Sequence, residues 1–259
     1  MIGIFDSGVG GITVLQAVRQ LLPGADLIYL ADRGHAPYGE RTLEEVAAIA
    51  VACTEHLLSA GATTIVVACN TASAAGLRQL REKYPAASFV GMEPALKPAA
   101  KVTRNGIVGV LATAATFQGE LFASLYERFA VGLTVVDRAC AGWAQLVERG
   151  LIDGPEVEAA IAYHLDPVLV AGVDTIVLGC THYPFLGPVI MRQAGSEVTV
   201  IDPSRAVAVQ VARVATDPGA GAGTLLHTTG DARATQELIT LLTGLHLPAT
   251  NVTLTPHGI

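Results

Sequence analysis

Lysine is scarce in this 259-residue chain: only Lys83, Lys97 and Lys101 occur, all in helix-like stretches, which leaves little room for a Schiff-base lysine. Basic clusters are absent and the formal net charge is −7, so neither nucleic acid nor an acidic membrane surface is an expected partner. Apolar runs break well short of the roughly 18 residues a membrane span requires. The four cysteines, Cys53, Cys69, Cys140 and Cys180, include no C-x-x-C pair, which argues against a zinc site. Met1 leads straight into the strand-like Ile2–Phe5 without a secretory signal, so the expected compartment is the cytoplasm, where thiols stay reduced.

What is present is a duplication. Gly61–Thr71 reads GATTIVVACNT and Gly172–His182 reads GVDTIVLGCTH, each an apolar run ending in a thiol and then small polar residues. Such a run describes a buried parallel strand with Cys69 or Cys180 at its carboxyl end, where open α/β sheets bind ligands. Strand-like and helix-like stretches alternate around both copies, with Glu93-Pro94 closing the first set and Asp202-Pro203 the second. The copies lie roughly 110 residues apart, too far for a solenoid repeat. The expected fold is α/β: two similar doubly wound domains related by a pseudo-twofold, with a site in the cleft between them. Residues 1–94 plus 205–259 form one expected domain and 95–204 the other, the C-terminal tail returning to the first. One thiol from each half, facing a shared cleft, suits chemistry that approaches a carbon from both sides.

Asp6-Ser7-Gly8-Val9-Gly10-Gly11 follows the first strand and opens a helix, a turn whose backbone N–H groups suit a carboxylate or phosphate. The plainer reading is a tight turn with Ser7 as a cap. Thr13 stands where the dinucleotide fingerprint needs its last glycine. A lone cysteine at a strand end is usually a small buried hydrophobe. Two at matching places, each at an expected helix start that lowers a thiol's pKa, favour reactive roles for Cys69 and Cys180. Cys53 and Cys140 have no duplicate and read as packing. His182 is a cap, a core residue or a proton exchanger beside Cys180. Glu148, at a helix end, reads locally as a solvated acid, and Pro37-Tyr38-Gly39 as a turn in a loop that could hold ligand. Thr113 and Thr116 follow the first strand of the second half as Ser7 follows the first strand of the chain.

DSGVGG at Asp6–Gly11, PYG at Pro37–Gly39, CNTA at Cys69–Ala72, EP at Glu93-Pro94, T-x-x-T at Thr113–Thr116 and CTHYP at Cys180–Pro184 together resemble the glutamate racemases. The similarity runs in order from Ile2 to about Leu242. It implies interconversion of L- and D-glutamate without a cofactor, supplying D-glutamate for peptidoglycan, with Cys69 and Cys180 as the acid/base pair. It further implies substrate contacts from Asp6, Ser7, Pro37, Tyr38, Gly39, Asn70, Thr71, Thr113, Thr116, Thr181 and His182. Asp6 would assist the Cys69 side, and Glu148 with His182 the Cys180 side. Members of the family often pair, so a homodimer is an open expectation. Thr250–Ile259 matches none of the motifs, and without the N-terminal extension of members controlled by a cell-wall precursor that control is not expected. Two other readings stay open: racemisation of aspartate or another amino acid on the same scaffold, and a non-catalytic carboxylate-binding protein.

Overall fold

The computed structural model describes residues 1–216, 218–219, 221 and 223–256, so the last three residues of the tail lie outside the described residues. The chain begins β1 (Ile2–Asp6), α1 (Ile12–Leu21), β2 (Leu27–Ala31), α2 (Leu43–Ser59), β3 (Thr64–Val67), α3 (Asn70–Lys83) and β4 (Ser88–Gly91). After α4 (Leu96–Val102) the pattern restarts with β5 (Ile107–Ala112), α5 (Ala114–Gln118), α6 (Glu120–Phe129), β6 (Thr134–Ala139), α7 (Trp143–Glu148) and α8 (Pro155–Val170). Then come β7 (Thr175–Gly179), α9 (Gly187–Ala194), β8 (Thr199–Ile201), α10 (Ser204–Val214), β9 (Thr224–Thr228), α11 (Ala232–Thr243) and β10 (Ala249–Asn251). Two 3-10 turns, Tyr38–Glu40 and Tyr183–Leu186, complete the set among the described residues.

The strands form two parallel sheets, ordered β10-β9-β2-β1-β3-β4 and β6-β5-β7-β8. The order β2-β1-β3-β4 in one matches β6-β5-β7-β8 in the other, so the duplicated segments are the equivalent strands β3 and β7. Both are buried along their whole length, as strands covered by helices on both faces must be. The glycines that open the two copies share a reason. Gly61 and Gly172 have φ of +92° and +84°, a left-handed conformation that lets α2 and α8 end and the chain turn into the next strand.

Local sequence accounts for most elements. Thr42 caps α2 by accepting from the Glu45 N–H at 3.2 Å while Glu45 accepts from the Thr42 N–H at 2.9 Å, a capping box contributing about 1 kcal/mol. In α1, Ile12, Leu15 and Val18 are buried at helical spacing, each worth roughly 1.5–3 kcal/mol when fully covered. The apolar spacing of residues 117–129 is helical, but the backbone breaks at Gly119, where a Cβ would come within 2.6 Å of the Ala74 side chain, so α5 and α6 are separate helices. The helix α7 begins at Trp143, after Gly142 turns the chain at φ +85°. The polar tail supplies β10 on the outer side of β9. No helix among the described residues is long and apolar enough to cross a membrane.

Candidate active site

The carboxyl ends of both sheets open on one cavity of about 760 Å3, within the usual range for small-molecule sites. Ser7, Pro37, Tyr38, Gly39 and Cys69-Asn70-Thr71 reach it from the first sheet. Thr113, Glu148 and Cys180-Thr181-His182 reach it from the second. Of the site residues that the resemblance implies, Asp6 and Thr116 alone stand behind the wall, both buried.

Cys69 is the N-cap of α3, its sulfur accepting from the Ala72 N–H at 3.5 Å, and its thiol donates to Ser7 Oγ at 3.8 Å. The helix start is therefore where the sequence places it, but its expected effect on acidity is outweighed. Burial, reinforced by the nearby Asp6 carboxylate, pushes the Cys69 thiol up to about 12. Ser7 is not a cap: the N-cap of α1 is Gly11, with no side-chain cap bond, which frees the Ser7 hydroxyl to face Cys69.

On the opposite side, Cys180 Sγ lies 3.7 Å from His182 Nδ1, and His182 Nε2 lies 2.8 Å from Glu148 Oε1. Burial opposes a charge on His182, but its bonds to Cys180 and Glu148 prevail and raise its pKa well above the ordinary value. Burial likewise opposes ionisation of Glu148, yet His182, the Val9 N–H and Arg33 together lower its pKa. The result is an imidazolium–carboxylate pair next to a sulfur. Glu148 is thus no solvated acid. It sits at the end of α7 and bridges the cleft, with Oε1 accepting from the Val9 N–H at 2.7 Å and Oε2 from Arg33 Nε at 2.8 Å.

This bridge corrects the reading of the glycine-rich turn. The Gly8 N–H is spent on Asp6 Oδ2 at 3.1 Å and the Val9 N–H on Glu148, so neither awaits an outside anion. The glycines are needed for approach: a Cβ on Gly8 would overlap Glu148 Oε1, and one on Gly10 would overlap the His182 ring. Asp6 is fully buried and accepts from Thr181 Oγ1 at 3.0 Å. Burial raises its pKa, with His182, the Gly8 N–H and Thr181 opposing.

The open donors lie elsewhere. Asn70 is 3% exposed, and neither its Oδ1 nor its Nδ2 has a partner. A buried amide left unbonded costs about 1–3 kcal/mol, a cost that a group offering both an acceptor and a donor would remove. A hydroxyl relay, Thr71–Thr113–Thr116, crosses between the halves with 2.9 Å at each step. Tyr38 donates its hydroxyl proton to Asp32 Oδ2 at 2.5 Å, which holds the Pro37–Gly39 turn in the cavity wall. Of the two packing cysteines, Cys53 is buried beside Tyr38, whereas Cys140 is both buried and part of the cavity wall, its thiol donating to the Arg138 carbonyl at 3.5 Å. Sequence reasoning missed Arg33, although its place just past the end of β2 was the available signal. Among the described residues no cluster of three or more His, Cys, Asp or Glu is arranged to hold a metal ion.

The family model "Asp/Glu/Hydantoin racemase" matches residues 12–211. The glutamate racemase of Roseiflexus sp. (strain RS-1) is 51% identical over 218 residues, 84% of this chain and 80% of that one. Among solved structures, glutamate racemase isoform RacE1 from Bacillus anthracis superposes with a TM-score of 0.89 at 32% identity, covering 98% of this chain and 97% of that one. The Escherichia coli glutamate racemase, solved with L-glutamate and the activator UDP-MurNAc-ala, superposes with a TM-score of 0.87 at 30% identity, covering 98% of each chain. With two parallel sheets, a thiol at each of two equivalent strand ends and this extent of similarity, the chain belongs to the Asp/Glu/Hydantoin racemase family.

Proposed function

We propose that this protein interconverts L- and D-glutamate without a cofactor, in the cytoplasm, and supplies D-glutamate for peptidoglycan. Cys69 and Cys180 exchange protons with opposite faces of the substrate's α-carbon. The observation that carries the reading is the pair of buried thiols at the ends of the equivalent strands β3 and β7, opening on one cavity. The glutamate-racemase names of relatives at this level of identity support the choice of substrate. The membership of the two sheets supports a division into residues 1–94 with 205–259 and residues 95–204, and in that division the site lies between the units.

The site is asymmetric in a useful way. Cys69 rests as a thiol, ready to donate, while the His182 imidazolium gives a negative sulfur on Cys180 a hydrogen-bond donor. With one enantiomer bound, the Cα–H bond breaks toward the Cys180 sulfur and its proton forms the thiol there. The electron pair left on Cα, delocalised into the α-carboxylate, takes the Cys69 proton on the other face. The sulfurs end with their protonation states exchanged, ready for the opposite enantiomer. Asp6 acts on the Cys69 side, and Glu148 with His182 on the Cys180 side. The carbanion requires donors at the carboxylate in a site closed to water. The Asn70 amide fits that task, its Nδ2–H donating a hydrogen bond to the carboxylate and its Oδ1 accepting one from the ammonium group. Ser7, Thr71, Thr113 and Thr181 supply further hydroxyls at the cavity wall, and the Pro37–Gly39 turn forms part of it.

Incubation with L-glutamate in heavy water tests the scheme. New D-glutamate should carry deuterium at Cα while recovered L-glutamate stays unlabelled at early times. Equal early labelling of both would mean a single base, and no exchange at all would exclude glutamate.

A further inference from the structure

We propose that Arg33 is a positioning residue for the Cys180 side of the site, holding the Glu148 carboxylate in the orientation that engages His182. This inference rests on the reading above, in which the Cys180 sulfur exchanges a proton with the substrate.

Arg33 leaves the first sheet just beyond the carboxyl end of β2, and its stem passes over Gly230, where a Cβ would stand 2.9 Å from Arg33 Cβ. Its guanidinium then makes three bonds to two helices. Nε donates to Glu148 Oε2 at 2.8 Å, Nη2 to the Glu148 main-chain carbonyl at 3.3 Å, and Nη1 to Thr235 Oγ1 at 3.2 Å. One planar group therefore holds both the side chain and the backbone of the same residue. Thr235 is a firm anchor. It lies on α11, is fully buried, and gives its own hydroxyl proton to the Asp231 carbonyl at 2.7 Å.

The other carboxylate oxygen is thereby committed. With Oε2 fixed by Arg33, Oε1 faces the Val9 N–H and His182 Nε2 together. A terminal carboxylate torsion is soft and roughly two-fold, so Glu148 needs an external constraint to stay in plane. Its carbonyl, at the end of α7, is an orphan acceptor that Arg33 also satisfies. Glu148 thus faces His182 from the turn after β7 and Arg33 from the loop after β2, with the like-charged Asp6 carboxylate of β1 close by. Without the guanidinium, the carboxylate can rotate toward solvent, and His182 loses the partner that aims its Nδ1 at Cys180. Lysine cannot replace this geometry, because an ammonium group is a point donor and not a fork.

The test measures kcat in each direction for wild type, Arg33→Ala and Arg33→Lys, with circular dichroism and melting to confirm folding. Arg33→Ala should lose about ten- to a hundredfold in kcat, the range for a charge-assisted hydrogen bond in a partly buried site, and unequally in the two directions. Arg33→Lys should fall between, and millimolar guanidinium should restore part of the Arg33→Ala activity. A folded Arg33→Ala enzyme with wild-type kcat would overturn the proposal. So would an equal loss in both directions that guanidinium leaves untouched, since that marks a purely structural role. A wild type that leaves the α-hydrogen of glutamate in place would instead overturn the functional reading, and this inference with it.

Discussion

Thr181 donates its hydroxyl proton to Asp6 Oδ1 at 3.0 Å, joining residues 175 positions apart and tying the turn after β7 to the end of β1. With the Val9–Glu148 and Arg33–Glu148 bonds, it makes the back of the cavity a polar seam stitched across both halves. Side chains beside each thiol are therefore held by groups from the half that carries the other.

Replacing either thiol should abolish turnover and spare the fold. Cys69→Ala and Cys180→Ala are expected to lose racemisation by about two to four orders of magnitude, the range for a lost general acid or base. Optical rotation of glutamate beside a melting curve checks both. Near-normal turnover in either variant would refute the two-thiol scheme.

Glu148→Gln and His182→Asn should cost less than the cysteine variants and act unequally on kcat in the two directions, because both residues serve the Cys180 side. The two values of kcat/KM must nevertheless stay equal to each other, since enantiomers have the same free energy in water. Identical losses of kcat in both directions would count against a side-specific role.

Gly8→Ala and Gly10→Ala test whether the glycine-rich turn exists to admit Glu148 and His182. Each should destabilise by about 1–3 kcal/mol through overpacking and should also lower activity. Gly24→Ala is the control, since a Cβ there meets nothing within 4 Å. Urea melts compare the three, and an unaffected Gly10→Ala would defeat the steric account.

The Cys69 thiol should be slow to alkylate near neutral pH. With its pKa pushed up to about 12, the thiolate fraction and the alkylation rate should grow about tenfold per pH unit until that value. The sign for stability follows. Because the folded value lies above the ordinary 9.0, the contribution of Cys69 is whole below about 9 and is lost as pH rises toward 12. Peptide mapping after timed alkylation reads the rate, and a plateau near pH 8 would disprove it.

Much of the architecture was legible because it depends on local pattern. The apolar runs at Ile2–Phe5, Thr64–Ala68 and Thr175–Leu178 are strands within a residue or so at each end. Motif spacing pointed to Cys69 and Cys180, both of which line the cavity. What local pattern alone could not show has partners far along the chain. Glu148 looks like an ordinary helix-end acid until Val9 and Arg33, 139 and 115 residues away, are brought to it. Arg33 carries no local signature beyond following a strand. Gly8 and Gly10 suggested an anion cradle because a sequence cannot show that its own carboxylates already fill the turn. The short strand Ala249–Asn251 is polar and takes its shape from pairing with β9.

The matching strand orders of the two sheets also carry a stereochemical meaning. A chain of L-residues cannot build mirror-image halves, yet a racemase must treat mirror-image substrates alike. Rotation about a twofold axis is open to such a chain, and it exchanges the two sides of an object lying on that axis. A tandem copy folded back on itself can thus turn one thiol toward each face of a carbon, achieving by rotation what it cannot achieve by reflection.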